Sequence, residues 1–153
     1  MPQEIILVGE YALNLNINAF TISAWIKSAS STSNRTIMAK GNKLQLRLNA
    51  DEKVEVMVDD VEGDASFTSK MALSDGKWHQ ITFVYQRGTV CLYKDGILDK
   101  SEQGVYAPKP KYNRFTKGAV YIDKITPDKN QFLGAIDVVD VLDQRLSQDQ
   151  IRN

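Results

Sequence analysis

Apolar and polar positions alternate along much of this chain. Leu44, Leu46 and Leu48 are separated by Gln45 and Arg47, and Val54, Val56 and Val58 by Glu55 and Met57. Successive side chains of a strand point to opposite faces, so each triplet predicts a strand with one buried side. The short polar stretch from Asn49 to Lys53 joins the two as an antiparallel hairpin.

The run from Trp78 to Ser101 continues the pattern. Trp78 to Gln86 is rich in β-branched and aromatic residues, Gln86-Arg87-Gly88 supplies a turn, and Thr89 to Lys94 returns as a strand. Asp95-Gly96 then predicts a type I′ turn, whose two central residues need positive φ, and Ile97 to Ser101 folds back. Further strands are predicted at Ile5 to Val8, Tyr11 to Leu15, Ala19 to Ser28 and Arg35 to Gly41. Gly118 to Asp123 and Phe132 to Asp143 follow, separated by a loop that holds Pro127 and Asn130.

Only the last residues read as a helix. Ser147 is its N-cap, Gln150 occupies the capping-box position, and Leu146 with Ile151 forms a hydrophobic staple. About a dozen short strands with no repeated βαβ unit predict an all-β antiparallel sandwich or jelly roll ending in a short C-terminal helix.

Composition narrows the picture. A chain of 153 residues, 42% of them apolar, predicts a single domain over residues 1–153. Nineteen basic residues balance nineteen acidic ones, which removes the electrostatic footprint of a nucleic-acid binder. Cys91 is the one cysteine, so the fold is held by packing, without an internal disulfide or a cysteine-ligated metal. No stretch has the length of a membrane span and the N-terminus lacks the pattern of a secretory signal, which predicts a soluble chain. Its localisation stays open between a particle-associated protein and a module of a secreted or cell-surface parent.

Five stretches, in order, carry a family resemblance: "FTISAWIKS", "TIMAKG", "SDGKWHQITFVY", "VCLYKDGIL" and "FLGAIDVVDVLDQRLSQDQI". Together they resemble the laminin-G-like jelly roll of the concanavalin-A-like lectin/glucanase superfamily, from Ala19 to Ile151. The resemblance implies a two-sheet antiparallel jelly-roll sandwich whose rim loops bind glycans or proteins. Fold alone leaves function open, because the superfamily includes enzymes, binding modules and structural domains.

Glucan-cleaving relatives need two carboxylates on one strand face, close enough to act as acid and nucleophile. Only "EKVEVMVDDVEGD" is acidic enough to imitate them, and it lacks the Glu-x-Asp-x-Glu triplet, with Glu55 pointing away from the valine face. His79 is the only histidine, too few for multi-histidine zinc, and since catalysis needs positioned partners it is assigned a structural bond from its ring to a neighbouring loop. Trp78 is assigned to core or sheet-edge packing, and Cys91 to a small buried position.

Asp137 shares its strand phase with Val139 and Val141, which predicts a carboxylate on a core-facing line. Such a charge needs a hydrogen-bond partner or a cation. The resemblance implies Ca²⁺ as the cofactor in that case, with Asp137 and Glu10 as the ligands available. The stretch from Glu102 to Lys117 is the candidate contact loop: Tyr106, Tyr112 and Phe115 alternate with Asn113, Arg114 and lysines, a mixture suited to stacking on sugars and bonding their hydroxyls, to a protein partner, or equally to pinning a long loop onto the sandwich.

These residues predict a non-enzymatic module that recognises carbohydrate or a protein surface through its rim loops. The alternative is a structural or adhesive subunit of an assembly such as a phage or virus particle, which would make the chain a homo-oligomer or particle component. A glycoside hydrolase fits the residues least.

Overall fold

The computed structural model describes residues 6–8, 19–30, 32–40, 44–59, 64–73, 75–103, 115–117, 132, 134–142 and 145–152. Eleven strands are seen among them: β1 (Ile6–Val8), β2 (Ala19–Lys27), β3 (Arg35–Lys40), β4 (Leu44–Leu48), β5 (Lys53–Asp59), β6 (Asp64–Ala72), β7 (Trp78–Gln86), β8 (Thr89–Lys94), β9 (Ile97–Gln103), β10 (Phe115–Lys117) and β11 (Ala135–Leu142). A short helix, α1 (Gln148–Arg152), follows. The strands form a six-stranded sheet, β1-β10-β3-β4-β5-β6, and a five-stranded sheet, β11-β2-β7-β8-β9. Every pairing is antiparallel, as a jelly-roll sandwich requires.

The period-2 residues meet between the sheets. Phe20, Ile22, Ala24 and Ile26 of β2, with Ile81, Phe83 and Tyr85 of β7, lie in one buried cluster with Leu44, Leu46 and Leu48 of β4 and Val54 and Val56 of β5. The Phe20 ring stacks on Tyr85 at 5.2 Å between centroids and tilts against Phe83 at 5.8 Å. Burying each such side chain contributes about 1.5–3 kcal/mol, and this cluster is the main source of stability.

The Asp95-Gly96 turn has the expected geometry, and the Arg87-Gly88 turn shares it. Asp95 and Gly96 have φ of 51° and 78°, and Arg87 and Gly88 have 44° and 83°, so each pair has the two positive values of a type I′ turn. Strand β6 was not anticipated. Its buried positions include Ser69, whose Oγ accepts a hydrogen bond from the Val54 N–H at 3.0 Å, so a polar residue interrupts the apolar alternation. Across the open edge of the sandwich, the Lys70 N–H donates to Asp99 at 2.8 Å and the Lys100 ammonium lies 4.9 Å from the Phe67 ring centroid, tying β6 to β9.

Other boundaries shift. Strand β9 runs on through Glu102 and Gln103, and Phe115 opens β10, paired with Val8 on one side and Lys40 on the other. The contact loop is therefore shorter than Glu102 to Lys117. The strands expected at Tyr11 to Leu15 and Gly118 to Asp123 lie outside the described residues.

Strand β11 carries a bulge. Asp137 lies opposite Trp25 and Asp140 opposite Ser23, so two residues of β11 face the single Ala24 of β2. The core-facing assignment of Asp137 is thereby corrected: Ile136 is the buried residue, and Asp137 and Asp140 both point away from the core on one face. Alternation read across the strand without a bulge puts these two carboxylates on opposite sides.

The C-terminal segment lies on the outer face of the five-stranded sheet. Its capping box is complete, with the Gln150 N–H donating to Ser147 Oγ at 3.3 Å and the Ser147 N–H to Gln150 Oε1 at 2.9 Å. Ile151 and Leu146 pack on Val84, Tyr93 and the partly buried Cys91. The Leu146 N–H donates to Thr21 Oγ1 at 3.0 Å and Arg145 to Gln86 Oε1 at 2.7 Å, while Gln148 reaches the Gly96 carbonyl at 3.5 Å. Burial beneath this segment pushes the Tyr93 phenol above its ordinary pKa. No helix among the described residues is long and apolar enough to cross a membrane.

Candidate ligand-binding surface

On the side of β2 and β7 that faces away from the core, cross-strand partners line up as Thr21 with Val84, Ser23 with Thr82, Trp25 with Gln80, and Lys27 with Trp78. The C-terminal segment covers the Val84 end. Beyond it the Ser23 and Thr82 hydroxyls meet at 3.3 Å, followed by the exposed Trp25, Lys27 and Trp78 and the half-buried Gln80.

Two indoles occupy that open half. Trp25 is 38% exposed and Trp78 44% exposed. Trp78 therefore takes neither the core nor the sheet-edge position expected for it: β7 lies between β2 and β8, its core-side phase belongs to His79, Ile81, Phe83 and Tyr85, and their neighbour must point outward. The register makes the two tryptophans diagonal neighbours, a relationship that places their strand positions about 7–8 Å apart, within reach of a shared contact for long side chains. Gln80 and Lys27 complete the square, and Asp137 and Asp140 border it on β11. Trp25 carried no signal of its own in the sequence beyond its place in an outward phase.

The strand end that carries Trp78 is anchored from below. His79, only 8% exposed, has Nδ1 2.8 Å from Asp95 Oδ2 and Nε2 2.9 and 3.0 Å from the two Asp75 oxygens. Both ring nitrogens thus face carboxylates. Asp95 also accepts the Gln80 N–H at 2.9 Å, and its own N–H donates to the Gln80 carbonyl at 2.8 Å. Asp75 accepts the Lys77 N–H at 2.9 Å, and Gly76 donates to the Ser28 carbonyl at 3.1 Å. The Lys77 amide and, next, His79 hold the Asp75 carboxyl below the usual carboxylate range. The structural assignment of His79 agrees with this geometry.

A second group lies at the rim between the loop after β2 and the turn after β4. Arg35, fully buried at the head of β3, donates from Nη1 to Ser28 Oγ and the Ala29 carbonyl, both at 2.7 Å, and from Nε to the Ser33 carbonyl at 3.2 Å. Desolvation lowers its pKa, opposed by the attraction of Glu52. Ser30, Thr32, Ala50, Asp51 and Glu52 line an open cleft of about 350 Å³ beside this loop. A buried arginine at the start of a strand has no sequence signature, and its role emerges only from the fold.

The remaining candidates separate. Glu55 is paired with Arg47 at 2.6 Å, directly across the β4–β5 ladder, so the central carboxylate of the acidic run is held in a cross-strand ion pair. Phe115 belongs to a strand, and Tyr106, Tyr112, Asn113, Arg114 and Glu10 lie outside the described residues. Calcium takes six to eight oxygens. Among the described residues no group of three or more His, Cys, Asp or Glu side chains is placed to hold a metal, and Asp137 faces outward beside Trp25.

The profile described as the concanavalin A-like lectin/glucanases superfamily matches residues 6–152. No curated protein matches the chain. Among solved structures, a protein from Bacteroides ovatus to which carbohydrate binding is ascribed is similar over 97% of this chain and 43% of its own, with TM-score 0.77 and 18% identity. The receptor binding domain of botulinum neurotoxin C/D mosaic serotype is similar over 89% of this chain and 35% of its own, with TM-score 0.66 and 18% identity. The binding domain of Paraclostridial Mosquitocidal Protein 1 is similar over 88% and 36%, with TM-score 0.69 and 16% identity. The chain thus spans less than half the length of these structures, and the likeness is one of fold.

Proposed function

The chain belongs to the concanavalin A-like lectin/glucanase superfamily, and from that premise we propose that it is a non-enzymatic binding module whose ligand is carbohydrate. The observation that carries this reading is the pair of exposed tryptophans, Trp25 and Trp78, set side by side among polar groups on a regular sheet. Indole faces stack on the C–H faces of sugar rings, while neighbouring amides, hydroxyls and carboxylates bond the hydroxyl groups. Carbohydrate or receptor binding in the names of the fold neighbours supports the reading.

No covalent chemistry is assigned. Among the described residues His79 is engaged by two aspartates and Glu55 by Arg47, so these two candidates for acid–base work serve the scaffold.

A glycan-array screen of the purified domain, once in millimolar calcium and once in EDTA, tests this. Saturable binding to a glycan class is expected. Loss of that binding in EDTA would add calcium to the recognition. A constant oligomer with no saturable glycan binding would overturn the proposal in favour of a structural subunit, and saturable binding to a protein alone would overturn it in favour of protein recognition.

A further inference from the structure

We infer that the ligand lies on the open half of the outer face of the five-stranded sheet, across Trp25 and Trp78, and that it is a neutral polysaccharide chain. This rests on the carbohydrate-binding reading and locates its site away from the rim loops.

Both indoles are carried by the paired strands β2 and β7, so their positions are set by the backbone ladder rather than by a mobile loop. A tryptophan has only two side-chain torsions to immobilise, which keeps the entropic cost of ligand contact low. The turn preceding Trp78 is fixed by the Asp75 and Asp95 contacts to His79 and by the Gly76 bond to Ser28. An aromatic platform held this way is ready before the ligand arrives, and preorganisation of that kind favours affinity.

The layout selects an extended ligand. Diagonal placement sets the two strand positions that carry the indoles about 7–8 Å apart, a span suited to neighbouring rings of an oligosaccharide rather than to one ring. Gln80, opposite Trp25 and two residues from Trp78, offers both a donor and acceptor between them. The C-terminal segment limits the platform on one side, covering Val84 and Tyr93.

Charge chooses the class of glycan. Lys27 stands opposite Trp78, and Asp137 and Asp140 border the Trp25 side, so among the described residues fixed charges of both signs flank the platform. A sulfated or uronate-rich chain would meet like charge along β11, whereas neutral hydroxyls can bond either sign. A protein partner fits less well: a stable interface covers about 800 Å² per side around well-packed anchors, and here two indoles stand on an open sheet face.

Trp25 and Trp78 are the only two tryptophans of the chain, so indole fluorescence reads this surface directly. The full chain is titrated with laminarin, xyloglucan, galactomannan and hydroxyethyl cellulose, and with heparin and alginate as anionic probes. The expected result is a saturable change of emission with at least one neutral polysaccharide. Trp25→Ala and Trp78→Ala, scored by gel retardation, are expected to weaken binding at least about tenfold each without loss of the folded circular-dichroism spectrum. Trp78→Phe, which retains an aromatic face, is expected to keep part of the affinity.

Retention of full affinity by both alanine variants, with loss on Tyr112→Ala, would overturn this site while leaving a carbohydrate-binding module. Tighter binding to heparin or alginate than to every neutral probe would overturn the ligand class. Absence of binding to all six polysaccharides would overturn the site and the carbohydrate reading together.

Discussion

Nδ1 of His79 lies 2.8 Å from Oδ2 of Asp95, linking the head of β7 to the type I′ turn between β8 and β9. The same carboxylate accepts the Gln80 N–H, so one aspartate of the turn holds two consecutive residues of β7. His79→Ala removes this link and the one to Asp75, and is expected to cost about 1.5–3 kcal/mol, the range for hydrogen bonds to charged groups. Urea unfolding followed by circular dichroism measures it. A midpoint equal to that of the native chain would mean that the hairpin holds without the ring.

Acid sensitivity follows from Asp75. The Lys77 amide and then His79 lower its pKa in the folded state, while in the unfolded chain the group returns to about 3.9. The contribution is complete above the unfolded value and is lost as pH falls through the lower folded one. Asp75→Asn is therefore expected to be less stable than the native chain at pH 7, with the two urea midpoints converging below about pH 4. A gap that stays constant down to pH 2 would contradict the assignment.

The rim loop depends on Arg35. Its buried guanidinium supplies donors to the Ala29 and Ser33 carbonyls and to Ser28 Oγ, and no side chain of another shape reproduces that fork. Arg35→Met is expected to lower stability by about 2–3 kcal/mol, and Arg35→Lys to recover little of it. Thermal melts of the three proteins decide; rescue by lysine would show that charge alone matters.

Two glycines make a matched pair. Gly134 has φ of 135°, and a Cβ there would run into the Lys27 carbonyl oxygen; Gly76 has φ of 76° with open space around it. Gly134→Ala is expected to destabilise by about 2 kcal/mol or more, from strain and collision together. Gly76→Ala should lose only about 1 kcal/mol, from strain alone. Chemical denaturation of both variants tests the ranking.

The parts of the fold legible in the sequence are those set by local rules. Leu44, Leu46 and Leu48 report a half-buried strand because period 2 is a property of the strand itself, and Asp95-Gly96 reports its turn because few residues tolerate two positive φ values. Ser147 and Gln150 likewise close a capping box within four residues. Strand β6 was hidden because Ser69 sits where an apolar residue was sought, its hydroxyl serving Val54 far away in sequence. The outward placing of Trp78 was missed because size suggested burial, whereas strand phase decides. Arg35 reads as a surface cation until Ser28, Ala29 and Ser33 are seen to accept its donors. The candidate surface depends on cross-strand register, which joins Trp25 to Trp78 over more than fifty residues of chain, and no local pattern contains it.

The bulge in β11 bears on how the chain tolerates changes of length. Two residues between Asp137 and Asp140 stand against Ala24 alone, so a chain shortened by one valine there would pair without interruption and keep both aspartates beside the same partners. Removing one residue from an unbulged strand such as β4 would instead reverse every side chain beyond the cut. Strand β11 is thus a place where an in-frame codon deletion leaves the outward pattern intact.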